Sequence, residues 1–191
     1  ALWSVISGLL KAFFNVNEVI SGIMLNWIAL YFANGILTSS DKVWDASHSQ
    51  AVLIASSSNA FIPRIGLDKL FAGNQIVGLG MILVILIVVV IYVLFEKTTV
   101  GFELKATGLN GDAANYSGMN KVKNIIIATA ISGALAGLAA SLNLQNGFTS
   151  WRMSSTTPSI GFDGISGTFL GGLSPIGLVF SSYLITHIKE G

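Results

Sequence analysis

The sequence predicts an all-α polytopic membrane protein, a transmembrane helix bundle, and three observations predict it. Charge is scarce: 10% of the 191 residues are Asp, Glu, Lys or Arg, 52% are hydrophobic, and the mean hydropathy is +0.73. An ordinary soluble domain carries about 25% charged residues. Ten Lys and Arg with nine Asp and Glu cannot coat a 20.1 kDa globule in polar groups. Uncharged runs reach bilayer length: residues 76–95 read IVGLGMILVILIVVVIYVLF, about 30 Å of helix. Such runs recur at 19–37 and 125–144. These features exclude a soluble, disordered, collagen-like or disulfide-stapled chain. A net charge of +1 with no basic cluster argues against nucleic acid as a partner, and the absence of cysteine excludes thiolate metal sites and thiol catalysis.

Taken in chain order, residues 1–10 read as the tail of a span, and 17–37 as the first complete membrane segment. The polar stretch 38–75 is expected to be an external loop. The second segment, 76–95, stops sharply at Glu96 and Lys97. Residues 96–123 form a loop on the opposite, cytoplasmic side, followed by a third segment at 124–144. There Gly133 and Gly137 make a GxxxG, flanked by Ser132, Ala136, Ala140 and Ser141, a face that lets helix backbones approach in lipid. The last apolar region, 161–188, is interrupted by glycines and Pro175, so a half-helix and turn near 161–175 compete with a straight span. The chain opens within one apolar stretch and closes after another, which predicts an internal piece of a larger membrane protein.

Sidedness follows the Lys and Arg count. The cytoplasmic assignment of Lys11, the 96–123 loop and Lys189 gives six basic residues there (Lys11, Lys97, Lys105, Lys121, Lys123, Lys189) against four outside (Lys42, Arg64, Lys69, Arg152).

The most informative loop reads GFELKATGLNGDAANYSGMN from 101 to 120. Phe102, Leu104 and Ala106 suggest a buried or interfacial face, with Gly108 and Gly111 as punctuation. Asp112 is placed to cap a short helix over 113–117, with Gly118 as its C-terminal stop. One or two turns are marginal alone in water, so such a helix needs something to dock on, and Tyr116 offers an anchor; a connector folded back on its own bundle is the alternative.

In the 17–37 segment, Asn26 and Asn34 lie eight residues apart on one helical face, which Glu18 and Gly22 extend. Trp27 and Tyr31 form an adjacent aromatic stripe. Amides with aromatic faces suit a neutral polar ring compound; helix–helix bonding and lipid packing are the alternative. Phe162 and Asp163 are placed to face an external vestibule. Arg64, Asp68 and Lys69 are candidates for a docking rim. No Asp, Glu, Lys, Arg or His sits inside the three clearest runs, so a proton relay or ion site is not expected there. The chain lacks a P-loop and an HExxH zinc motif.

The runs 101–120, NIIIATAISGALAGLAAS, GFDGISGTFLGGLSPIGLVFSS and NVNEVISGIMLNWIALYFAN together resemble the permease subunits of sugar- and nucleoside-type ABC importers, most closely the nucleoside branch. The similarity covers nearly the whole chain, but the family's earlier helices are missing from it. The resemblance implies a permease-type fold and a bacterial inner-membrane location. It implies two permease chains around a pore, cytoplasmic ATPase subunits that bind ATP and Mg, and an external substrate-binding lipoprotein. Carried onto this sequence, it makes Gly101, Glu103, Lys105, Gly108, Asp112, Ala113, Ala114, Tyr116 and Gly118 the ATPase-coupling residues. Asn26, Trp27, Tyr31, Asn34, Phe162 and Asp163 become the substrate path. No catalytic residue, metal site or cofactor is expected on this chain. A second resemblance, of residues 164–171 to the GxSGxxxG run of rhomboid-type serine proteases, makes Ser166 an alternative nucleophile. A nucleophile needs a base within reach, and the two histidines, His48 and His187, are badly placed to serve. A purely structural membrane subunit is a third alternative.

Overall fold

The computed structural model describes residues 2–39, 44–45, 50–51, 79–145, 156 and 160–190. The described residues are overwhelmingly helical. In chain order the helices are α1 (Leu2–Phe14), α2 (Glu18–Thr38), α3 (Leu79–Lys97), α4 (Thr99–Leu109), α5 (Gly111–Tyr116), α6 (Lys121–Gln145), α7 (Ile160–Leu170) and α8 (Pro175–Glu190). Between α2 and α3, β1 (Trp44–Asp45) pairs antiparallel with β2 (Gln50–Ala51). Arg64, Asp68, Lys69 and His48 lie outside the described residues.

Two helices among those described are long and apolar enough to cross a membrane, over Glu18–Ile36 and Lys121–Leu144. Ile82–Lys97 and Thr99–Leu109 pass the same test only when taken together, and they are bent by 75° at the break between them. Among the described residues only Leu30 and Ala114 are buried apolar side chains. Large side chains such as Ile20, Phe32, Leu86 and Val90 are exposed along the helices, the pattern of a chain whose solvent is lipid and neighbouring protein.

Helix α1 ends in a tight turn. Asn15 takes φ 51, a left-handed conformation that Asn tolerates better than most residues, and its N–H donates to the Lys11 carbonyl at 3.1 Å. Asn17 then caps α2, its side chain accepting from the Val19 N–H at 2.9 Å. Lys11 and Glu18 bridge the turn at 2.8 Å. Beyond it, α1 packs on α6, where Gly8 sits against Thr129 with no room for a Cβ, and Ser4 Oγ donates to the Thr129 carbonyl at 2.8 Å. The close helix approach on α6 therefore centres on Thr129, a turn before the GxxxG; Ser132, Ala136, Gly137 and Ala140 are exposed.

Residues 161–188 do not form one straight helix. Helix α7 is followed by a turn in which Gly172 has φ 64 and Leu173 φ 58, and α8 folds back along it. A Cβ on Gly171 would stand 2.6 Å from the Gly177 carbonyl carbon and the Leu178 nitrogen, so two glycine backbones touch where the helices meet. Ser181 Oγ donates to the Gly167 carbonyl at 2.6 Å, and at the open end Lys189 pairs with Asp163 at 2.6 Å. An external Asp163 and a cytoplasmic Lys189 cannot both hold, because the hairpin joins them at one end.

Candidate functional site

The best-built local assembly is the short helix between α4 and α6. Helix α3 ends at Lys97, and Thr98 follows as the N-cap of α4, its hydroxyl donating to the Leu94 carbonyl at 2.5 Å and accepting from the Gly101 N–H at 3.1 Å. That capping turns the chain by 75°. Gly101 is buried at the corner, and any Cβ there would collide with the Leu94 carbonyl oxygen and stand 2.6 Å from the Phe95 Cα. The corner is thus tight because residue 101 has no side chain. Lys105 reaches back to pair with Glu96 across it.

Residues 101–109 are helical, which corrects the face suggested by Phe102, Leu104 and Ala106. Their spacing of two cannot share one side of an α-helix; Phe102 points outward and is 63% exposed, while Leu104 and Ala106 are half-buried. Glu103 is half-buried, and Gly108 lies inside α4 with open space at its Cβ position.

The cap of α5 also differs from expectation. Asn110 is the N-cap, its side-chain oxygen accepting from the N–H groups of Asp112 at 3.1 Å and Ala113 at 3.0 Å. Asp112 sits instead in the first turn, where its carboxylate favours the positive helix end and pairs with Lys121 at 3.0 Å. Asn and Asp are nearly equal N-caps, so the Asn-Gly-Asp run left the choice to tertiary contacts. Gly118 does stop the helix, with φ 85 and its N–H donating to the Asn115 carbonyl at 3.0 Å. The Met119 N–H closes onto the Ala114 carbonyl at 3.0 Å. Ala114 is buried, whereas Ala113 is exposed and Tyr116 is 94% exposed.

Two residues that sequence reasoning missed tie this assembly to α6. Lys121 holds Asp112, and Asn124, itself 3% exposed, donates through Nδ2 to Thr107 Oγ1 at 2.9 Å. A polar Asn one turn into an apolar helix is the signal that could have found the second contact. The result is a corner, a short helix and a return helix, with Tyr116 and Leu109 projecting into open space.

On α2, Trp27 and Tyr31 stack with ring centroids 6.0 Å apart and planes at 26°. Asn26 is exposed beside them, but Asn34 is buried, at 9% exposure, so the two amides do not share one open face. Eight residues of helix rotate a position by about 80°, enough to carry Asn34 off the side that Asn26 occupies. Phe162 is 66% exposed at the start of α7. Asp163 is engaged by Lys189.

The protease reading finds no support. Ser166 Oγ donates to the Phe162 carbonyl at 3.1 Å, and the His187 ring lies edge-on to Tyr183 at 6.0 Å. No hydrogen bond joins this serine to a histidine among the described residues. No group of His, Cys, Asp and Glu there could hold a metal ion.

Comparison with known proteins agrees with this architecture. The chain is 34% identical over 194 residues to the nucleoside ABC transporter permease protein NupB of Lactococcus lactis, covering all of this chain and 52% of that protein. It is 36% identical over 195 residues to the guanosine ABC transporter permease protein NupP of Bacillus subtilis, again over its full length and 53% of the relative. A glucose ABC transporter permease protein of Haloferax volcanii is 25% identical over 196 residues, 50% of its length. The chain therefore spans about half the length of the curated relatives it matches. No solved structure matches it. The family described as the branched-chain amino acid transport system permease component matches residues 1–191, and an apolar helical bundle is the architecture such a component requires: the chain belongs to that family.

Proposed function

We propose that this chain is the later portion of the permease subunit of an ABC importer that moves nucleosides across the bacterial cytoplasmic membrane, with simple sugars as the second choice. The observation that carries this reading is the similarity of all of this chain to about half of a nucleoside permease and of a guanosine permease, at 34% and 36% identity. The chemistry of the helices favours the same cargo over a branched-chain amino acid. A zwitterion crossing the bilayer calls for charged partners. The interior of α2 offers an exposed amide at Asn26 and stacked rings at Trp27 and Tyr31, suited to the edge and plane of a neutral heterocycle.

In this reading the chain performs no chemistry. ATP and Mg bind a separate ATPase subunit, which grips the assembly from Gly101 to Gly118 by way of Tyr116. Closure of the ATPase pair pulls α5, and the pull passes through the α3–α4 corner and the Thr107–Asn124 contact into the long helices. A second permease chain completes the pore, and a substrate-binding lipoprotein delivers the ligand from outside. The decisive experiment reconstitutes the full transporter in proteoliposomes with its ATPase and binding protein. Labelled guanosine should accumulate only with ATP, and excess leucine or glucose should leave uptake within about twofold of its starting rate. Accumulation of leucine in place of guanosine would refute the assignment.

A further inference from the structure

We propose that α7 and α8 form a re-entrant hairpin: both enter and leave the membrane on the face opposite α5, and the turn at 171–174 lies inside the bilayer. This rests on the chain's membrane character and not on its cargo.

Length is the first argument. The 11 residues of α7 extend about 16 Å and the 16 of α8 about 24 Å, both short of a hydrocarbon core of about 30 Å. Neither is among the helices long and apolar enough to cross a membrane. The second argument is the antiparallel return. Gly171 meets Gly177 backbone to backbone, Ser181 bonds the Gly167 carbonyl, and Lys189 holds Asp163 at 2.6 Å. Contacts at the tip, middle and open end bring the start of α7 and the end of α8 together, so a single face of the membrane must receive both.

A turn inside hydrocarbon must satisfy its own backbone, and every N–H of this one has a carbonyl partner. The N–H groups of Gly171, Gly172, Leu173 and Ser174 donate to the carbonyls of Gly167, Phe169, Thr168 and Gly171, respectively. Residue 175 is proline and has no N–H to satisfy. The Ser174 carbonyl accepts from Leu178 at 2.9 Å. The left-handed φ values of Gly172 and Leu173 are what this closure demands, and a leucine there suits lipid where a soluble turn would carry Asn or Asp. The face follows from α6. Helix α6 leads away from α5, and the fourteen residues 146–159 that follow it, half of them Ser or Thr with Arg152 and Pro158 among the rest, contain no apolar run of the length a membrane helix needs. Lys189 then leaves the α5 side, and the Lys and Arg split becomes five against five.

The test uses single cysteines in the full-length transporter with any cysteine outside residues 1–191 replaced, since these residues have none. Gly161 has open space at its Cβ position, and His187 and Lys97, at the end of α3 on the α5 side, are exposed, so all three should tolerate Cys. A membrane-impermeant maleimide should label Gly161→Cys and His187→Cys from the same face, and Lys97→Cys only from the other. Labelling of 161 and 187 from opposite faces would make α8 a crossing helix and overturn the proposal. So would labelling of both from the Lys97 face, or of neither from either face. Independently, the double variant Asp163→Cys with Lys189→Cys should be joined within one chain by a short bismaleimide in intact membranes. If it resists linking while each single variant reacts, the two ends are apart and the hairpin does not exist.

Discussion

Glycine carries the tightest packing in this chain, at positions where the missing Cβ is the whole of its contribution. A Cβ on Gly177 would run into the Gly171 carbonyl oxygen, and one on Gly171 would stand 2.6 Å from the Gly177 carbonyl carbon. Neither neighbour is a flexible side chain, so the helices themselves would have to separate. Gly164, on the same helix as Gly167, faces nothing within 4 Å. Overpacking a tight contact costs about 1–3 kcal/mol, whereas Gly→Ala at an open helical position gains up to about 1 kcal/mol. Gly171→Ala and Gly177→Ala should therefore lower the midpoint of thermal unfolding in detergent by several degrees, and Gly164→Ala should leave it unchanged or raise it. Equal losses at all three positions would mean that the glycines serve flexibility instead of contact. The sequence displayed these glycines without ranking them, because which of them meets a backbone depends on the fold-back of α8 rather than on local spacing.

Helix α5 has six residues, and an isolated helix that short does not persist in water. Its order must come from its anchors. The Asn110 cap bonds two N–H groups, Ala114 is buried, and Asp112 pairs with Lys121 on the surface. An N-cap is worth about 1 kcal/mol, and an exposed ion pair between about 0 and 1 kcal/mol, usually at the low end. Asn110→Ala should thus speed hydrogen exchange of the 112–119 amides by roughly fivefold, and Asp112→Asn by less than about twofold. The reverse order would make the ion pair the principal anchor. The elements were legible to different degrees for the same reason that these anchors differ. Long uncharged runs announce α2, α3 and α6 because lipid imposes composition on every exposed position. Gly118 announces the end of α5 because only a few residues accept φ 85. The cap was misassigned by two residues because Asn110 and Asp112 are equally good by type, and Lys121, nine residues on, claims Asp112. The separation of Asn26 from Asn34 was illegible because burial is set by tertiary packing, which an eight-residue spacing does not report.

Across the molecule, the proposed coupling assembly and the candidate path sit on different helices of the chain. Helix α5 hangs from the bend after α3 and is tied to α6 through Thr107 and Asn124, while the Trp27–Tyr31 stack belongs to α2. Helix α1 links the two, touching α2 through Ser7 and Ser21 at 3.0 Å and α6 through Gly8 and Thr129. Trp3 also donates to the Leu25 carbonyl at 3.2 Å, one residue before Asn26. Among the described residues a pull on α5 reaches α2 through packed helices, and each end can be altered without touching the other. Tyr116 is 94% exposed and bonded to nothing described, so Tyr116→Ala should preserve folding and ligand affinity. It should cut ATP-driven uptake about tenfold, because losing an interfacial anchor of this kind costs about 1–2 kcal/mol. Trp27→Ala should do the opposite, raising the KM for nucleoside about fivefold to tenfold through loss of one stacking face, with substrate-stimulated ATP hydrolysis retained at saturation. The two effects are read in one preparation as uptake per ATP and as KM. If Trp27→Ala instead abolished stimulation with KM unchanged, the α2 stripe would be part of the drive train and not of the path. If Tyr116→Ala had no effect on uptake per ATP, the ATPase would have to grip the chain elsewhere than α5.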